Sequence, residues 1–289
     1  MLPYLLIKFI VLLFAILPWR AIYPISRFFA FILRSIIRYR HTMLYDNLAI
    51  SFPKLTKKEL TTLHRSVYRQ YTEITCENLK SFSVKPEELQ SRITVENIDL
   101  LKNQLKQNQN CLAYTSHFAN WEWQAMIGAL VNYQLLGVYK ASHNEKVEAL
   151  LQGYRNRWGI EFSTVKNFPK KAIKQLKKDL NPTSAKIIFL LSDQNPTKQQ
   201  PSTQVDFLNR KTNFVVAPER LATRYNLPAF FIRMSRKCRG HYHIKIEQYN
   251  EQEKREESLT HWYAKQLEKQ IIEDPASWLW LHNRWKKRD

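Results

Sequence analysis

Residues 111–123 read Cys-Leu-Ala-Tyr-Thr-Ser-His-Phe-Ala-Asn-Trp-Glu-Trp. The first part is a short apolar run that suits a buried strand. A helical pattern follows from Trp121 to about Val131. His117 therefore stands at the end of a strand, with the Glu122 carboxylate just inside the next helix. Loops at the carboxyl ends of strands are where reactive groups gather in open α/β sheets. A histidine there, with an acid close behind it, has the makings of a general base and its orienter.

The spacing itself is common. His41 and Asp46, His117 and Glu122, and His143 and Glu148 all share it, and 25 acidic residues in a chain of 289 supply such pairs by chance. Context separates them. His41 lies in the basic stretch RYRHTMLYDN and His143 in the polar helix start ASHNEKVE, where solvated or interfacial side chains are expected. Only His117 ends an apolar strand.

Downstream of this stretch the pattern alternates. Strands are expected at 111–115, 135–139, 186–192, 228–233 and 241–247. Helices are expected at 121–131, 144–157, 169–179, 214–225 and 254–273. Such alternation predicts an α/β fold with a mixed, mostly parallel sheet flanked by helices. The last two strands flank the turn Ser235-Arg-Lys-Cys-Arg-Gly240 and are expected to be antiparallel. Upstream, 41–82 reads as helical with a break at Ser51-Phe-Pro53, and Thr56-x-x-Glu59 is a capping box opening the second helix. Residues 83–110 are polar and irregular apart from a helix near 97–107, and connect into the core.

The beginning of the chain is different in kind. Residues 1–18, MLPYLLIKFIVLLFAILP, carry Lys8 as their only charge. That is marginal length for a transmembrane helix, which needs about 20 residues. No small-residue cleavage site follows, so a membrane-anchoring helix is preferred to a cleaved signal peptide. Arg20, Arg27, Arg34, Arg38 and Arg40 come next, and the positive-inside rule then keeps the rest of the chain cytoplasmic. Ile25, Phe28, Phe29, Ile32, Leu33 and Ile36 recur at helical spacing, which fits an amphipathic helix in the membrane interface or, alternatively, a core helix. The expected division is an anchor and interfacial helix over 1–40 and a catalytic domain over 41–289.

A net charge of +20 and 13% aromatic residues point to nucleic acid, an anionic membrane surface or a phosphorylated substrate. Cys76, Cys111 and Cys238 have no metal-ligand spacing and cannot all pair, which fits a reducing compartment. With 5 glycines there is no Gly-rich phosphate loop, and neither cofactor nor metal is expected.

Other residues carry possible chemistry. Asp193 follows the apolar run KIIFLLS, where it is either a strand-end catalytic carboxylate or part of an ordinary turn. Arg155 and Arg157, in GYRNRWG, either complement a helix dipole or anchor a phosphate or oxyanion. The ending Ser277-Trp-Leu-Trp-Leu-His-Asn-Arg-Trp-Lys-Lys-Arg288 interleaves tryptophan with cations. That suits a membrane interface, and suits nucleic acid less given the apolar start of the same chain.

Taken in order, DNLAISFPKLTKKE, the His117–Glu122 element, the Asp193 turn, APERLATRYNLPAFFIR and WLWLHNRWKKR resemble the lipid A biosynthesis lauroyl/myristoyl acyltransferases, within the lysophospholipid acyltransferase superfamily. The His-x4-acid element is shared across that superfamily, and the tail is the more distinctive signature. The resemblance implies a glycerophosphate-acyltransferase-like fold. It also implies transfer of a fatty acyl chain from acyl carrier protein or acyl-CoA to a glycolipid hydroxyl, at the cytoplasmic face of the bacterial inner membrane. His117 would be the base and Glu122 its orienter, with Arg155 or Arg157 on the oxyanion. Asp193 matches a family position without a set role. Asn120, Trp121, Arg284 and Lys286 would bind substrate, and no nucleic-acid partner is implied. Two departures, Phe207-Leu-Asn209 and Asn283, put the acceptor in question. Competing expectations are an acyltransferase for another glycolipid, an aminolipid or a lysophospholipid, and a non-enzymatic basic binding protein.

Overall fold

The computed structural model describes residues 2–107, 109–139, 142, 144–157, 160–164, 167–176 and 185–286. His143, Lys287, Arg288 and the end of the helix expected over 169–179 lie outside the described residues. The chain begins with α1 (Leu2–Ile16), α2 (Trp19–Phe31), a π-helical turn at Ile32–Ile36, α3 (His41–Ser51), α4 (Lys57–Ser81) and α5 (Pro86–Gln90). Then come β1 (Ile93–Glu96), α6 (Ile98–Lys106), β2 (Cys111–Thr115), α7 (Trp121–Gln124), α8 (Ile127–Val131), β3 (Gln134–Tyr139), α9 (Glu145–Asn156) and β4 (Ile160–Thr164). The remainder is α10 (Phe168–Leu176), β5 (Lys186–Leu191), β6 (Ser202–Phe207), β7 (Arg210–Val215), α11 (Ala217–Tyr225), β8 (Ala229–Cys238), β9 (His241–Gln248), α12 (Glu251–Glu256) and α13 (Leu259–Glu273).

Among the described residues, seven strands form one sheet in the order β1-β9-β8-β2-β5-β3-β4. Every neighbouring pair is parallel except β8 with β9, so the fold is α/β and mostly parallel, as the alternation predicts. The central strands are apolar throughout because helices cover both faces of a parallel sheet. Every residue of β2 is buried. The strands that escaped the sequence pattern are β1 and β4 at the two sheet edges, and the separate hairpin β6–β7.

The hairpin turns on Leu208 and Asn209, both at positive φ (51° and 61°), which is the two-residue geometry that matches strand twist. Asn209 donates from Nδ2 to the Ser51 carbonyl at 3.0 Å, and Arg210 donates to the Asn47 carbonyl at 2.9 Å. The unusual Phe207-Leu-Asn209 therefore serves packing and the capping of α3. Phe207 itself is buried against Phe214 and Trp278.

The capping box forms as expected: Thr56 N–H donates to Glu59 at 2.8 Å and Glu59 N–H to Thr56 Oγ1 at 3.3 Å. The helix expected over 121–131 is instead two short ones. Met126 N–H bonds the Trp123 carbonyl at 3.1 Å, a three-residue step that tightens the chain between α7 and α8.

The expected transmembrane helix is not found among the described residues. α1 has 15 residues, and at 1.5 Å per residue it spans about 22 Å, short of a hydrocarbon core of about 30 Å. No helix among the described residues is long and apolar enough to cross a membrane. The apolar run breaks at Leu17-Pro18 and folds back: Phe14 of α1, Ile22 and Tyr23 of α2 and Cys76 of α4 form one buried cluster. The outward sides stay apolar and exposed, with Phe9, Leu12 and Ile16 on α1 and Phe28 and Phe31 on α2.

The tail tryptophans pack against the protein itself. Trp278 and Trp280 are buried, and their rings meet edge to face at 4.8 Å. Trp280 donates to the Pro275 carbonyl at 2.6 Å and Trp285 to Thr212 at 2.9 Å. Burying such a side chain is worth roughly 1.5–3 kcal/mol, so the ending acts as a strap over the core.

Candidate active site

Strand register brings the site together. In the β2–β5 pair Thr115 lies opposite Leu191. Two residues beyond each strand end stand His117 and Asp193, carried to the same level of the sheet. Their side chains meet: Nδ1 of His117 lies 2.7 Å from Asp193 Oδ1. The His117 backbone N–H donates to Oδ2 at 3.0 Å, and the Trp278 indole N–H donates to the same oxygen at 2.8 Å. The carboxylate on the imidazole is therefore Asp193, not the Glu122 that the spacing favours.

The cause is geometric. Glu122 lies in the first turn of α7 and its carboxylate turns to Arg155, 3.6 Å away. Asp193 is 2% exposed and receives three donors. Burial pushes its carboxyl up, but His117 and the Trp278 indole outweigh that and hold it below the usual range. Burial pulls the His117 imidazole down, and the Asp193 charge and hydrogen bond, with help from Glu122, raise it above its ordinary value. With Nδ1–H given to Asp193, Nε2 keeps its lone pair and meets the Gln194 amide nitrogen at 3.1 Å. That is the tautomer a general base needs.

Nε2 faces a cleft of about 1030 Å³, part of it open to solvent. Its apolar walls include Val138, Phe162, Phe189 and Leu191, while Glu122, Arg155 and Gln194 supply polar groups. Gly137 of β3 also lines it, where a Cβ would stand 2.9 Å from the Phe162 ring. Trp121 is at the mouth, its ring centre 5.6 Å from that of His117. Arg155 sits over the faces of Phe162 and Tyr139, at 5.0 and 5.5 Å.

The other expected residues lie elsewhere. Arg157 does not enter the cleft; it donates to the Phe82 carbonyl at 2.8 Å and to that of Val84, tying α9 to the end of α4. Asn120 is wholly buried, and its amide donates to Glu77 at 3.2 Å, which ties the loop after His117 to α4. Arg284 is 3% exposed and clamps Asn195 Oδ1 at 2.7 Å and the Asn213 carbonyl at 2.6 Å. Lys286 is exposed at the end of the tail. The backbone carbonyl of Asn283 accepts from Asn195 at 2.9 Å, a contact independent of its side chain that joins the tail to the loop after β5. His41 packs its ring 4.4 Å from that of His64.

Two participants were missed in the sequence. Gln194 had only its adjacency to Asp193 to mark it. Trp278 was legible as part of the tail but not as a donor to Asp193.

This arrangement can take a proton from a hydroxyl beside an apolar channel. No curated protein matches the chain. The model of the family described as bacterial lipid A biosynthesis acyltransferase matches residues 2–287, nearly the whole length, and the chain belongs to that family.

Proposed function

We propose that the protein moves a fatty acyl chain from acyl carrier protein or acyl-CoA to a hydroxyl of lipid A or a lipid A precursor. The family is one of acyltransferases. The observation that carries the finer reading is the His117–Asp193 pair beside a cleft with apolar walls and a few polar groups.

The acceptor oxygen bonds to the thioester carbonyl carbon while its proton passes to Nε2 of His117. Asp193 stabilises the imidazolium that forms, as a triad acid does. Arg155 and the Gln194 amide are the donors nearest the developing oxyanion. Collapse breaks the carbon–sulfur bond, and the sulfur leaves as a thiol with the proton returned by His117. The acyl chain lies along Val138, Phe162 and Leu191. Glu122 holds Arg155 in position.

The reaction takes place at the cytoplasmic face of the bacterial inner membrane. Phe9, Leu12, Phe28 and Ile36 are exposed, and Arg20, Arg27 and Arg38 are exposed among them in sequence. Such a combination lies in the headgroup region without crossing the bilayer.

Mass spectrometry of lipids from cells with the protein, without it, and with His117→Ala tests this. One glycolipid should lose a single acyl chain in both altered strains. A shift in a different lipid would overturn the acceptor, and no shift in any lipid would overturn the activity.

A further inference from the structure

Glu77 of α4 is completely buried, yet it is a carboxylate with no part in the chemistry above. Its oxygens collect donors from three other places. The Tyr23 hydroxyl of α2 reaches it at 3.2 Å. From the β8–β9 hairpin come the Gly240 N–H at 3.0 Å, the Arg236 guanidinium at 3.4 Å and the Tyr242 hydroxyl. Asn120 Nδ2, at 3.2 Å, comes from the loop that carries His117. Gly240 is at φ +68°, and a Cβ there would stand 2.8 Å from the Tyr23 hydroxyl, so the turn is shaped to this cluster.

A buried charge is costly to desolvate, and an apolar side chain often stabilises a core as well or better. What a carboxylate adds is the fixing of several donors at once. The loop it touches needs fixing. Ala119, wholly buried, stands at φ 50°, a conformation that alanine keeps only where its surroundings over-determine it. On one side the tail holds the loop, by Ala119 N–H to the Ser277 carbonyl at 2.9 Å and Leu279 N–H to the His117 carbonyl at 3.0 Å. On the other side the Asn120 side chain is tied to Glu77.

We propose that Glu77 is a positioning residue of the transfer reaction, holding the strained 117–120 loop through Asn120 so that His117 meets Asp193. This rests on His117 being the base. Glu77 touches neither substrate nor imidazole.

Glu73, one turn earlier on α4, makes the comparison possible. It is 2% exposed and pairs with the same Arg236, at 2.7 Å, and with Arg239. Its carboxylate is engaged by Arg236 and Arg239, away from Asn120. Glu73→Gln disturbs the same ion-pair network without releasing the loop.

The experiment uses the full chain in detergent micelles. Glu77→Gln and Asn120→Ala should each lower kcat about tenfold to a hundredfold, the size of effect a misplacement near 1 Å produces. The donor KM should stay near that of the unaltered protein. The double variant should be no worse than the worse single one, because both cut one tether. Glu73→Gln should lose stability without that fall in kcat. NMR titration of the His117 imidazole should show its pKa falling in Glu77→Gln and unmoved in Glu73→Gln. Equal kcat in Glu77→Gln and Glu73→Gln, or fully additive losses in the double variant, would overturn the proposal. Should Glu77→Gln not fold, Asn120→Ala still decides it: a kcat and a His117 titration like those of the unaltered protein would sink the idea. The titration is read without turnover, so absent acyl transfer in the unaltered protein would reject the function and leave the positioning role to be judged.

Discussion

Asp193 binds the imidazole of His117 at 2.7 Å from 76 residues further along the chain. The pair sets a pH dependence. His117 works as a base only when neutral, and its pKa is raised above the ordinary 6.5. Activity therefore rises with pH through a midpoint above that value. Asp193→Asn removes the charge that raises it and leaves the burial that lowers it, so the acid limb of the rate profile moves to lower pH. By analogy with triad enzymes kcat falls by roughly 10⁴-fold. The stability side has the opposite sign for the two partners. The His117 contribution is full below 6.5 and is lost as pH rises through its raised value. The Asp193 contribution is present above 3.8 and is lost as pH falls through its lowered value. Rate profiles and urea unfolding against pH check both; an acid limb unmoved in Asp193→Asn contradicts the assignment.

Glu122 and Arg155 form a second pair at the cleft, at 3.6 Å. Arg155→Ala removes the cation nearest the developing oxyanion and should cost kcat about 10²-fold, the usual scale for one such donor. Glu122→Ala frees Arg155 without unbinding the imidazole, so its loss should be smaller than that of Asp193→Asn. Steady-state rates of the three variants rank them. A larger loss in Glu122→Ala than in Asp193→Asn would return the orienting role to Glu122.

The difference between Glu122 and Asp193 shows where a sequence stops being legible. β2 and β5 announce themselves as unbroken apolar runs, and their pairing needs only α/β logic. That Thr115 lies opposite Leu191 is a matter of register, and it alone decides which acid meets His117. Local spacing favours the near acid; register delivers the far one. The tail fails in a similar way. Tryptophan among cations reads as interfacial, but the indoles of Trp278 and Trp280 find partners in Asp193 and Pro275 that lie elsewhere in the chain or behind a turn. The β6–β7 hairpin went unread as well, although Val205 and Phe207 alternate with exposed residues as Thr212 and Phe214 do. Edge strand β4, Ile-Glu-Phe-Ser-Thr, has no clean period because its pattern of burial has none.

The tail makes its own prediction. Trp278→Phe keeps an aromatic ring, smaller than the indole, and removes the N–H that Asp193 accepts at 2.8 Å. A hydrogen bond to a charged group is worth about 1.5–3 kcal/mol, and stability at neutral pH should fall by that order. Arg284→Ala should likewise destabilise, since its guanidinium clamps Asn195 and Asn213 from a buried site. Denaturant midpoints measure both. If Arg284→Ala kept full stability and lost only affinity for the acceptor, the residue would be a substrate contact after all.

The exposed apolar side of α1, α2 and the π-helical turn that continues α2 gives the last prediction. Phe9, Phe28 and Ile36 are 64%, 61% and 66% exposed, so replacing them with serine should leave folding nearly untouched. If they enter the headgroup region, each contributes on the order of 1 kcal/mol or more of apolar transfer. The triple variant should then bind anionic vesicles about a hundredfold more weakly, since 1.4 kcal/mol is a tenfold change. Salt should weaken the unaltered protein as well, through Arg20, Arg27 and Arg38. Turnover on substrate in detergent micelles should stay as it was, because none of the three is among the residues lining the cleft at His117. Vesicle co-sedimentation against ionic strength, paired with the micelle assay, separates docking from chemistry; unchanged binding by the triple variant would remove this surface from any membrane role.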